Sequence, residues 1–121
     1  MEAKLYDTEQ LKRIVTDDQE IPVYIQAFVT QSLERDLGRL QRSYASKEVD
    51  MTKKMAYKLR FALSMYGVHS IQRDLNKIEE ELQDNSSFEA IAPIIQRIKT
   101  HLRAVKRQMI QDYKLVITLL D

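Results

Sequence analysis

A chain of 121 residues suffices for one domain with its own core, burying about two-thirds of the surface that the unfolded form exposes. Nineteen basic and eighteen acidic residues leave a net charge of +1, without the basic surplus of a dedicated nucleic-acid binder. No cysteine is present, which excludes disulfides, thiol nucleophiles and cysteine metal sites, and two Gly and two Pro are too few for a β-sandwich or a glycine-loop nucleotide fold.

The elements follow in chain order. The N-terminal stretch Met1–Asp7 lacks the apolar core of a signal peptide. Asp7 or Thr8 can cap a short first helix, with Gln10 near N3 and Leu11, Ile14 and Val15 as its apolar face. The acidic turn Thr16 to Glu20 ends it and places acids ahead of the next helix, whose first turn suits Pro22. Tyr24, Ile25, Phe28, Val29, Leu33, Leu37, Leu40 and Tyr44 then recur at helical spacing over about six turns. Gly38, in their midst, is expected at a close approach of another helix.

Ser46 is expected to cap a third helix lined by Val49, Thr52, Met55, Ala56, Leu59, Ala62, Leu63 and Tyr66. Gly67 breaks the pattern, and a fourth helix carries Val68, Ile71, Leu75, Ile78 and Leu82 as a narrow seam. Asp84 to Ser87 form a loop, and Ser86 with Glu89 reads as a capping box. The last helix carries Ile91, Ile94, Ile95, Ile98, Leu102, Val105, Met109, Tyr113, Val116 and Leu120, with Pro93 expected to kink it or delay its regular start. Short loops predict antiparallel neighbours. The expectation is a single all-α domain over residues 1–121, an antiparallel up-down four-helix bundle with a short leading helix. No apolar run approaches the roughly 20 residues of a membrane span, so a cytoplasmic protein without membrane insertion is expected.

One stretch carries more. With Ala56, Leu59 and Leu63 facing inward, Tyr57, Arg60, Phe61 and Ser64 fall on the opposite side at i, i+3, i+4 and i+7. Lys53 and Lys54 lie one turn earlier. Two outward aromatic rings framed by Lys53, Lys54, Lys58 and Arg60 make a candidate docking patch, with cover by a neighbouring helix as the alternative.

The same stretch resembles the motif of the histidine-containing phosphotransfer (HPt) domain, the four-helix module of phosphorelays. That motif reads Ala-His-x-Leu-Lys-Gly-Ser/Ala, followed by small residues and a closing apolar-Gly pair. Ala56 takes its Ala place, Leu59 the Leu place, Ala62 the small-residue place and Tyr66-Gly67 the closing pair, without a gap. The Leu75 and Ile78 seam, the short leading helix and the long helix with Phe28 and Leu33 suit the family over roughly residues 5 to 115.

The departures alter the implied function. Tyr57 stands at the phosphoacceptor His, Arg60 at the phosphoryl-contacting Lys, and Phe61 at the Gly that leaves room beside the His. A relay needs a neutral imidazole nitrogen whose bond to phosphorus is labile enough to pass the group on. A phenol, protonated at neutral pH, is a poor nucleophile there, and its ester would not be handed back. The resemblance thus implies an HPt-like fold and a docking face for a response-regulator receiver domain or a sensor kinase. The expected module is not an enzyme, relays no phosphate and needs no cofactor, metal or nucleic acid. A helical interaction or dimerisation module is the first alternative. An active phosphotransfer protein using His69 or His101 is the second.

Other residues offer less. His69 and His101 lack acidic partners at metal spacing and read as surface or rim histidines. Glu79, Glu80 and Glu81 read as a solvated face. Arg97, Lys99, Arg103, Lys106, Arg107 and Lys114 spread around the last helix and read first as a solvated face, with attraction of an anion or an acidic partner as the alternative. Seven serines without a suitably placed base predict no catalytic triad.

Overall fold

A computed structural model of the chain describes residues 3–83 and 88–116, and these hold helices and turns but no strand. α1 (Glu9–Ile14) is followed by a 3₁₀ turn (Asp18–Glu20). α2 (Ile21–Phe28) runs through a π-helical segment (Val29–Asp36) into α3 (Leu37–Ala45). Then come α4 (Val49–Met65), α5 (Gln72–Gln83) and α6 (Phe88–Tyr113). α4 packs against α3 and α5, α5 against α6, and α6 against the π segment and α3.

The core follows the predicted periodicity. Ile25, Leu40, Leu59, Leu75, Ile78 and Ile98 are fully buried. Each such side chain contributes about 1.5–3 kcal/mol when removed from water. The Phe28 and Tyr66 rings stack at 4.0 Å between centroids, joining α2 to the end of α4. Pro22 lies in the first turn of α2, where its missing N–H costs nothing. Asp17 Oδ1 accepts from the Gln19 N–H at 2.9 Å and so caps the 3₁₀ turn.

Several expectations are corrected. Of the leading helix's apolar residues only Leu11 is buried, and Ile14 is exposed because six residues make too little surface to seat both. Tyr24 and Val49 are exposed rather than in the core, and Tyr44 is half-buried. The long second helix widens into π geometry, where the Leu37 N–H bonds the Ser32 carbonyl five residues back. Inside the widened turn Ser32 and Asp36 are buried.

Gly38 meets no neighbouring helix. An added Cβ would find only the Arg42 guanidinium, with Nη1 at 3.2 Å. Ser46 does not cap α4 but ends α3, through a left-handed Lys47 at φ 57°. The Lys47 N–H bonds the Tyr44 carbonyl at 3.1 Å and the Glu48 N–H the Ser43 carbonyl at 2.9 Å. α5 starts at Gln72, later than expected, and Val68 and Ile71 are buried from the preceding turn. Pro93 sits inside α6, which is helical from Phe88 onward. The helix ends at Tyr113, leaving Val116 exposed beyond it. Leu120 and the Ser86 cap lie outside the described residues.

Residues before α1 form a strap over the end of α6. The Leu5 N–H donates to Gln108 Oε1 at 2.9 Å, and Gln108 Nε2 donates to the Ala3 carbonyl at 2.7 Å. The Tyr6 hydroxyl donates to Asp112 at 2.6 Å, and Lys4 pairs with the same carboxylate.

Candidate docking face

α4 is one straight application of helical phase. Ala56, Leu59 and Leu63 are completely buried, so the residues half a turn away must face water. Phe61 is 67% exposed and Tyr57 56%, and Lys54 and Ser64 are exposed along the same strip. The alternative of a covering helix is therefore excluded for these two rings among the described residues.

The strip is edged by two ion pairs. Towards the π segment, Lys58 Nζ donates to Asp36 Oδ1 at 3.4 Å. Towards α5, Arg60 Nε donates to Glu79 Oε2 at 3.0 Å. The Arg60 guanidinium carbon also lies 5.2 Å from the Tyr57 ring centroid, within cation–π reach. The Arg60 backbone carbonyl accepts from Gln72 Nε2 at 3.1 Å, tying this turn of α4 to the start of α5.

The expected basic frame is therefore half-neutralised. Lys58 and Arg60 each meet a carboxylate, while Lys53, half-buried, and Lys54 have no carboxylate within ion-pair distance among the described residues. Glu79 is not part of a solvated face, because it lies across the helix pair from Arg60. The sequence hides both pairings, since Asp36 is 22 residues from Lys58 and Glu79 is 19 from Arg60. The face offers aromatic surface and two free lysines. Its described side chains include no imidazole and no cluster of acids.

A second group of polar side chains lies between α5 and α6. Ser70 Oγ is 2.7 Å from His101 Nε2, so one serine does have a base beside it, contrary to expectation. The two residues are 31 apart and are brought together only by the packing of the helices. Burial lowers the His101 pKa below 6.5, partly opposed by the Asp74 charge, so its ring is neutral at pH 7. Arg97 Nη2 and Nε hold the two Asp74 oxygens at 2.9 and 3.3 Å. With Asp74 committed to Arg97, no carboxylate among the described residues hydrogen-bonds the His101 imidazole to complete a triad. The pair instead tethers the start of α5 to α6, above an open groove of about 410 Å³. His69 is exposed, with Nε2 3.7 Å from Asp7 Oδ2.

No helix among the described residues is long and apolar enough to cross a membrane. Comparison with family models, curated proteins and solved structures finds no match to this chain.

Proposed function

We propose that the chain is a non-enzymatic docking module: an up-down four-helix bundle of HPt type that has lost its acceptor histidine and binds a response-regulator receiver domain without relaying phosphate. The single observation that carries this reading is the pair of exposed rings, Tyr57 and Phe61, one turn apart on a helix whose opposite side is fully buried. Large aromatic side chains ringed by polar groups are the usual anchors of protein interfaces. Their place coincides with the reaction centre of the motif that the sequence resembles. The free charges of Lys53 and Lys54 complement the acidic phosphorylation pocket of a receiver, and such a partner places the module in the cytoplasm. A sensor kinase is the second partner of this class.

Calorimetric titration against co-encoded receiver domains tests the reading. Binding is expected to be weak and to weaken further with salt. Phe61→Ala should cost more affinity than Lys54→Ala, because a buried aromatic anchor outweighs a screened charge. Absence of binding to every such receiver would reject the reading in favour of an interaction module unrelated to phosphorelay.

A further inference from the structure

Four basic side chains gather along α6, three of them beside the π segment. Lys99, Arg103 and Lys106 line a groove of about 370 Å³ together with Glu34 and Gln41. Arg103, Lys106 and Arg107 line a second space of about 370 Å³ that continues past Ile110. The two share Arg103 and Lys106 and so adjoin along α6, bordering a basic trough on its surface. Glu34 is the only acid on either lining among the described residues, and its Oε1 lies 2.8 Å from Lys106 Nζ. Lys99, Arg103 and Arg107 have no carboxylate within ion-pair distance among the described residues. Four of the chain's nineteen basic residues thus lie together along one helix.

We propose that this trough binds an extended, acidic polypeptide segment. Lys99, Arg103 and Arg107 follow one another at four-residue steps, about 6 Å apart along the helix axis. Alternate side chains of an extended strand are about 6.6 Å apart on one face, so a segment with Asp or Glu at every second position matches all three. The two arginines present planar forks suited to carboxylates. Among the described residues no aromatic ring lines the trough, which therefore offers no stacking platform of the kind single-stranded nucleic acid uses. Leu33, Leu37 and Leu102 on its floor are already buried, leaving no pocket for the apolar face of an amphipathic helix.

Glu34 acts as a built-in competitor. It engages Lys106 through a buried oxygen 2.8 Å from Nζ, and it repels an incoming carboxylate. Removing its charge frees Lys106 for the ligand. This site is separate from the α4 face and does not depend on the reading proposed for it.

The test is fluorescence anisotropy of a labelled peptide of alternating Glu and Ser, against the full chain at about 50 mM salt, where screening is weak. A Lys-Ser peptide and a single-stranded oligonucleotide of equal charge are the comparators. The acidic peptide should bind, and the Lys-Ser peptide should not. Arg103→Glu should weaken binding by about tenfold and Glu34→Gln should tighten it severalfold, whereas Phe61→Ala should leave it unchanged. Circular dichroism establishes that each variant is folded. The proposal is overturned by absence of peptide binding, by tighter binding of the oligonucleotide, or by a folded Glu34→Gln protein that binds less well.

Discussion

Gly67 and the backbone of Asp7 are in direct contact. A Cβ added to Gly67 would lie 2.4 Å from the Asp7 nitrogen and 2.6 Å from its carbonyl oxygen. Gly67 also holds φ 71° where α4 ends, with its N–H on the Ser64 carbonyl and the Val68 N–H on the Leu63 carbonyl. The same residue therefore terminates α4 and seats the N-terminal strap. Gly67→Ala should destabilise the fold by about 2 kcal/mol or more, combining left-handed strain with displacement of Asp7. Urea denaturation measures the loss, and faster proteolysis before α1 should accompany it. An unchanged midpoint would show that the strap does not rest on this glycine.

Lys47 ends α3 with the same pair of hydrogen bonds but carries a side chain at φ 57°. It is exposed, so no packing requires lysine there. Lys47→Gly should stabilise by about 1 kcal/mol and raise the melting temperature by roughly 4 °C. Lys47→Ala keeps the strain and should give no such gain. Equal melting temperatures for the two variants would refute the assignment of strain to this turn.

Acid should loosen two contacts of α6 in sequence, one at its middle and one at its C-terminal end. The His101 pKa is lowered in the fold by burial, so the unfolded chain takes up a proton first. Stability contributed by its neutral form is complete above 6.5 and declines as pH falls below that value. Asp112 is held below 3.8 by its hydrogen bonds from Lys4 and Tyr6. Its contribution persists above 3.8 and is lost as pH falls through the lower folded value, releasing the strap. His101→Gln should remove the first decline and leave the second, which Asp112→Asn should remove. Denaturation midpoints measured across the acid range check both.

Local rules made much of this legible. The inward phase of Ala56, Leu59 and Leu63 placed Tyr57 and Phe61 outside, and Pro22 marked the start of α2. What escaped involves partners remote in sequence or backbone states without a residue signal. Lysine at position 47 does not announce a left-handed turn as glycine does at position 67. Periodicity of 3.6 cannot reveal a π segment that shifts register between Val29 and Asp36. The Asp36–Lys58 and Glu79–Arg60 pairs exist only once helices pack, and so does the Ser70–His101 contact. Charge on a helix surface could be counted from the sequence, but its cancellation could not.

The Arg60–Glu79 pair decides how the reaction centre could be rebuilt, if the α4 face is a former phosphotransfer site. Tyr57→His supplies the nucleophile at an exposed position. That change alone should give little transfer, because Phe61 lies one turn away on the same strip and would crowd an aspartyl phosphate. Tyr57→His with Phe61→Gly opens the approach at a cost of about 1 kcal/mol for glycine within an exposed helical turn. Arg60 must still reach the transferring phosphoryl group, yet its Nε is held by Glu79 at 3.0 Å. Adding Glu79→Gln removes that competing charge and should raise transfer further, because the free guanidinium can then stabilise charge building on the phosphoryl oxygens. The measurement is acid-labile phosphate on this chain after mixing with a phosphorylated receiver that binds the unmodified protein. Transfer should increase from the single to the double to the triple variant. If the triple variant is folded and binds but takes up no phosphate, α4 is not a dormant acceptor helix, and its aromatic strip serves binding by another route.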